Sequence, residues 1–96
     1  MSDASKTCSE KVELRNKHGM HARPAHLFVQ TANAYASKLQ VWREGGDERV
    51  DGKSIMGIMM LAAECGSVLW LESVGPDADV QVRALVELIE AGFGEE

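Results

Sequence analysis

The apolar residues of this chain switch repeatedly between a two-residue and a three-to-four-residue period, and the order of those switches limits the folds open to it. Lys11-Val12-Glu13-Leu14-Arg15 alternates polar and apolar, as a strand with one buried face does. After Pro24, which suits a first helical position, Ala25, Phe28, Val29, Ala32 and Ala36 recur at helical spacing. Alternation returns over residues 38–43, with Leu39 and Val41 on one face and Trp42 on the other. Glu44-Gly45-Gly46-Asp47 reads as a turn, and residues 48–50 as a short return strand. Ser54 is a good N-cap for a helix that starts with the apolar run 55–63 and ends near Cys65-Gly66. Residues 67–74 alternate again, Leu69 and Leu71 opposite Val68, Trp70 and Val74. After the Gly75-Pro76-Asp77 turn, Val82, Leu85, Val86 and Ile89 stripe a last helix that stops near Gly92, with Asp77 and Asp79 at its positive end.

The order is β-α-β-β-α-β-α. Alternating strands need only one covered face, so the expected fold is α+β: a four-stranded antiparallel sheet with three helices on one face and the other face open. Ninety-six residues hold one core. Residues 1–9 are expected to be a flexible tail and residues 10–96 the domain. No apolar run approaches the ~20 residues of a membrane helix, so no membrane insertion is expected. The polar start has no signal-peptide stretch. Cys8 and Cys65 form no metal or redox spacing, which points to a cytoplasmic chain with free thiols.

Charge is distributed unevenly. The net charge is −5, yet no Asp or Glu lies between Glu13 and Glu44, where Arg15, Lys17, Arg23, Lys38 and Arg43 fall. All three histidines, His18, His21 and His26, lie in the same window. Such a chain is a poor nucleic-acid binder; it suits one anionic group or an acidic partner, unless the run is ordinary solvated surface.

Within that window, residues 16–25 join the first strand to the first helix. His21, just before a proline-started helix, would sit over free backbone N–H groups and the positive end of the helix dipole, a place that suits a bound or covalent phosphate. The dipole disfavours an imidazolium, so a neutral, nucleophilic His21 is expected. Arg23 can bond a phosphoryl oxygen, and Gly19 permits a tight turn. A loop histidine beside an arginine is the plainer alternative.

Gly19-Met20-His21-Ala22-Arg23-Pro24-Ala25 resembles the active-site signature of the HPr family, phosphocarriers of the bacterial phosphoenolpyruvate-dependent phosphotransferase system. Asp51-Gly52-Lys53-Ser54-Ile55-Met56-Gly57-Ile58-Met59-Met60-Leu61 resembles the family's second signature. The resemblance implies an open-faced β-sandwich and an HPr-like phosphocarrier domain over residues 10–96. His21 would accept a phosphoryl group on Nδ1 from phosphorylated Enzyme I and donate it to an enzyme IIA domain. Arg23 would orient the group, with Ala22, Arg23 and Pro24 as its cradle. The chain would be a carrier rather than an enzyme, a monomer with transient interfaces and no metal or cofactor. The stretch around residue 16 and the closing Ala91-Gly92-Phe93 followed by acids look like the nitrogen-type branch. The second motif looks like the sugar-type or kinase-regulated branch.

Ser54 has two readings: a helix cap, or the target of an HPr kinase/phosphorylase, as the resemblance implies. An inward stripe of Ile58, Leu61, Ala62 and Cys65 leaves Ile55, Met56, Met59 and Met60 as surplus apolar residues. With Met20 these would ring His21 as an adaptable docking surface; the other reading has Met59 and Met60 complete the core. Met20, His26, Ile55, Met56 and Met59 are accordingly the expected partner contacts. Gln30 and Asn33 depart from the basic residues the family often carries along the first helix. His18 and His26 depart from its usual small or polar residues, either as plain surface or as extra donors near the phosphate. Trp42 and Trp70 are expected on the open sheet face, paired if their strands are neighbours.

A metal site finds little support, because His21 and His26 point apart on a helix and no cysteine or acid completes a set. The competing function is a regulatory HPr-like protein that acts by protein–protein binding without relaying phosphate.

Overall fold

The computed structural model describes residues 6–95. Its elements are β1 (Lys6–Glu13), α1 (Ala22–Ala32), β2 (Lys38–Arg43), β3 (Val50–Asp51), α2 (Ile55–Met60), β4 (Val68–Gly75) and α3 (Ala78–Glu90), followed by a tight turn at Gly92–Gly94. The strands form one sheet in the order β1-β4-β2-β3, and every neighbouring pair is antiparallel. The three helices cover one face and leave the other open, as the alternation requires. Val12, Leu39, Val41, Leu69 and Leu71 point from the sheet into a core closed by Phe28 of α1, Ile58 of α2 and Leu85 and Ile89 of α3. No described helix is long and apolar enough to cross a membrane.

Part of the segment expected to be a flexible tail is strand. Lys6 to Ser9 belong to β1, paired with Gly75 to Glu72 of β4, while residues 1–5 lie outside the described residues. Before Lys11 the helix-side positions are Cys8 and Glu10, on the rim beside Asp79 and Arg83 of α3, so no apolar alternation marks the strand there. Both cysteines are free, and burial pushes the Cys8 thiol up, with the Glu10 carboxylate adding to it.

Helix α2 also ends early. Ala62 takes a left-handed φ of 49°, which turns Ala63 inward and leaves Ala62 and Cys65 exposed. The inward stripe is therefore Ile58, Leu61 and Ala63. Asp77 does not cap α3 with its side chain, leaving Asp79 as the acid of the first turn. Instead Asp77 accepts bonds from the Ser37 N–H and hydroxyl through Oδ1 and from the Ala36 N–H through Oδ2. Beneath this clasp, the buried Gln81 amide donates to the carbonyls of Ala32 and Ser37 and accepts from the Ser73 hydroxyl.

On the open face the two tryptophans are paired directly across β2 and β4, their rings stacked with centroids 6.1 Å apart. Arg49 lies 3.8 Å from the Trp42 centroid and Lys11 Nζ 5.6 Å from that of Trp70, so a cation closes each end of the row.

The hydrogen bond from the Ser37 hydroxyl, followed by that from the Ala36 N–H, holds the Asp77 carboxyl below the usual carboxylate range. A carboxyl lowered on folding adds stability that is present above its unfolded pKa, about 4, and is lost as pH falls through the folded value. Asp77→Asn should lower the urea midpoint at pH 7, and the gap from the unsubstituted chain should shrink as pH falls below about 4.

Candidate functional site

The loop into α1 is built by backbone contacts before any side chain acts. Asn16, buried, donates from Nδ2 to the Gly19 carbonyl at 2.7 Å, while the Gly19 N–H returns a bond to the Asn16 carbonyl at 3.1 Å. Gly19 has φ +66°, and a Cβ there would stand 2.5 Å from the Ala63 carbonyl oxygen. That absence of a side chain lets the Met20 N–H reach the same carbonyl at 2.9 Å. Met20 then drops into the core, 4% exposed, which removes it from the expected partner contacts.

His21 follows in extended conformation (φ −89°, ψ −171°) as the N-cap of α1, and its carbonyl accepts the first helical bond from Ala25 N–H at 3.0 Å. The N–H groups of Ala22 and Arg23 have no intrahelical acceptor, and the first turn of α1 holds no acidic residue. The positive end of the helix is thus open at the imidazole. Pro24 is fully buried and has no N–H, so of the expected cradle residues Ala22 and Arg23 alone offer backbone N–H groups.

The His21 side chain is partly exposed, but its two nitrogens differ. Nε2 is shut off from water and lies 3.2 Å from Glu95 Oε2. The carboxylate is near enough for an ion pair, yet it stands off the axis of the ring N–H, and Nε2 makes no hydrogen bond. The His18 ring stands edge-on to that of His21, centroids 5.8 Å apart. Both line an open cleft of ≈ 750 Å³ with Arg15, Asn16, Lys17, Arg23, Gly92 and Glu95. Three fixed cations against one carboxylate make this cleft receptive to an anion.

A second surface lies on α2. Ser54 caps this helix, its hydroxyl accepting from the Gly57 N–H at 3.1 Å. Met56 and Met60 are 70% and 65% exposed, Ile55 and Met59 40% and 41%. Met59 and Met60 therefore face solvent rather than complete the core. His26 lies apart from His18 and His21, in an α1–α2 groove shared with Val29, Asn33 and Ile55.

The sequence by itself points to no role for Asn16 or Glu95. A spacing of Asn16-x-x-Gly19 is a legible turn signal, whereas Glu95 enters through a chain reversal that no periodicity encodes.

With this geometry in place, the comparisons are specific. The family described as "PTS HPr component phosphorylation site" matches residues 8–91. This chain belongs to the HPr family. The phosphocarrier protein HPr of Neisseria meningitidis serogroup A is 49% identical over 86 residues, spanning 90% of this chain and 94% of its own. The HPr-like protein Crh of Halalkalibacterium halodurans is 42% identical over 81 residues, 84% of this chain and 94% of its own. Among solved structures, HPr-C-His from Thermoanaerobacter tengcongensis matches with a TM-score of 0.87 and 46% identity, over 93% of this chain and 98% of that one. The family is one of phosphotransferase-system phosphocarriers, and the four-stranded sheet with three helices is shared with its solved HPr structures.

Gly19→Ala should test how tightly the HPr loop is seated. A left-handed alanine alone costs about 1–2 kcal/mol, and the encounter with the Ala63 carbonyl adds to it. The expected result is a lower melting temperature together with shifted amide resonances at Met20 and His21.

Proposed function

We propose that this chain relays a phosphoryl group, accepting it on His21 from phosphorylated Enzyme I and donating it to an enzyme IIA domain, as a cytoplasmic monomer. The observation that carries this reading is the placement of His21 at the open, acid-free N-terminus of α1, inside a cation-lined cleft. Nε2 is enclosed against Glu95, which leaves Nδ1 to take the group. The free N–H groups of Ala22 and Arg23 and the Arg23 guanidinium are the donors for its oxygens. An open cleft holds the group without enclosing it, and a carrier must release what it binds.

Ile55, Met56 and Met59 form the docking surface, with His26 at its edge on α1. Methionine side chains suit this task because they repack at small cost against different partners in turn. Met60, as exposed as Met56, extends the same surface.

Regulation enters at Ser54 through an HPr kinase/phosphorylase. A phosphate oxygen there can still accept from the Gly57 N–H while placing a dianion beside Ile55 and Met56. The alternative, a regulatory binder that carries no phosphate, leaves the open helix end and the cations around His21 without a task.

Incubation with phosphoenolpyruvate and Enzyme I, followed by intact mass and peptide mapping, should place an acid-labile phosphate on His21. His21→Ala should carry none, and the absence of transfer to the folded chain from Enzyme I of both the sugar and nitrogen types would overturn the relay. Ser54→Asp retains a capping side chain and adds a charge. It should raise the KM for Enzyme I about two- to fivefold with kcat little changed, the size expected of one exposed charge at an interface.

A further inference from the structure

Beyond residue 91, where the family match ends, the chain turns through three consecutive left-handed residues: Gly92 (φ 66°), Phe93 (φ 58°) and Gly94 (φ 75°). Two of these are glycines, for which the conformation is free. For Phe93 it is strained, and the strain is offset by burying the ring in the core, 5% exposed. The reversal brings Glu95 back over the loop that carries His21.

There one oxygen of the carboxylate is held by a hydrogen bond and the other stands against the imidazole. Oε1 accepts from Asn16 Nδ2 at 3.1 Å, and the same amide nitrogen bonds the Gly19 carbonyl. Oε2 stands 3.2 Å from His21 Nε2, a ring nitrogen that is closed to water and has no hydrogen-bond partner. A carboxylate serving only the dipole of α1 would need neither the buried Asn16 nor the anchored Phe93.

We infer that Glu95, fixed by Asn16 and by the Phe93 anchor, is a positioning residue for His21. It holds the proton on Nε2 and so keeps the lone pair on Nδ1. This inference rests on the reading of His21 as the phosphoryl acceptor. A neutral imidazole carries one N–H, and a carboxylate beside Nε2 selects the Nε2–H form. Rotation of the Glu95 carboxylate aligns the contact into a hydrogen bond, as happens when such pairs tighten around a reacting group.

In the transfer, the Nδ1 lone pair forms the new N–P bond as the donor's bond to phosphorus breaks and its electron pair returns to the donor. The Nε2 proton stays in place throughout, so no base and no co-reactant are needed. The positive charge gained by the ring develops against Glu95, with His18, Arg15, Lys17 and Arg23 as the other ionisable groups lining the cleft.

The test is the long-range proton–nitrogen spectrum of the ¹⁵N-labelled full chain near pH 8.5, where imidazoles are neutral. His21 should be in the Nε2–H form, and Glu95→Ala and Asn16→Ala should each convert it to a mixture of tautomers. Glu95→Gln, which keeps the size but bonds either tautomer, should do the same. Amide spectra and the fluorescence of Trp42 and Trp70 report that each chain is folded. Phosphorylation by Enzyme I should fall about tenfold in kcat in Glu95→Ala, the weight of one charge-assisted hydrogen bond, with KM unchanged.

An Nδ1–H form in the unsubstituted chain, or a tautomer unmoved in folded Glu95→Ala and Glu95→Gln, would overturn the inference even if His21 is phosphorylated. A tautomer that shifts as expected in chains that never take up phosphate would support the positioning and overturn the carrier reading alone.

Discussion

The approach of Gly19 to the Ala63 carbonyl determines where the site can be. Two loops meet there more closely than any side chain permits: the one entering α1, and the one leaving α2. The Met20 N–H bond to Ala63 sets the start of α1, and the buried Met20 side chain prevents the loop from turning over. His21, the next residue, is therefore extended at the helix N-terminus because its neighbour is inside. The left-handed Ala62 belongs to the same arrangement, since a longer α2 would carry the Ala63 carbonyl away from Met20. An early helix end and a glycine in the loop are two sides of one contact.

The N-terminus of α1 lacks a side-chain cap and an acidic first turn, which in most helices would supply stability. Elsewhere among the described residues, buried polar side chains find partners. Asp77 and Ser37 clasp the connection from α1 to β2 against the turn before α3, and Gln81 bonds three groups beneath them. Across the open face, the row from Lys11 through the two tryptophans crosses β1, β4 and β2 and ends on Arg49, just before β3. Among the described residues, the unsatisfied buried side-chain atoms, Asn16 Oδ1 and His21 Nε2, are both beside the site. Buried polar groups left without partners are expected where a protein gives up stability for chemistry.

The element order was legible because it depends on period alone, and period reflects which faces are covered. The same logic fails where coverage is partial. Cys8 and Glu10 occupy the helix side of β1 at its rim, so the first half of that strand carries no alternation. It fails again where local chemistry has two outlets. Asp77 stands where a helix-dipole acid should stand, yet Ser37, distant in sequence, binds it more fully. Surplus apolar residues on α2 were foreseen by counting, whereas the inward turn of Met20 was not, because one methionine in a loop has no period to obey. The signature around His21 marks it as the proposed acceptor. Glu95 could not be found that way, since its place depends on Phe93 accepting a left-handed backbone.

In the proposed relay, the cleft at His21 and the surface of α2 would divide the work by physical kind. The cleft supplies charge through Arg15, Lys17 and Arg23, and α2 supplies apolar area with little charge. On the first helix Asn33 stands where the family often carries a basic residue. Its amide is engaged internally, donating to the carbonyls of Val29 and Lys53 and so tying α1 to the start of α2. Lys53, which shares this tie, has its ammonium donated to the Tyr35 carbonyl. The cations are thus concentrated at the cleft, at the N-terminal end of α1. Electrostatic attraction acts mainly on the rate of encounter, while apolar contact governs how long the pair stays together. Under the proposed relay, cations at His21 and flexible methionines on α2 would give fast, oriented encounters with short residence, which suits a carrier that must meet its donor and its acceptor in turn.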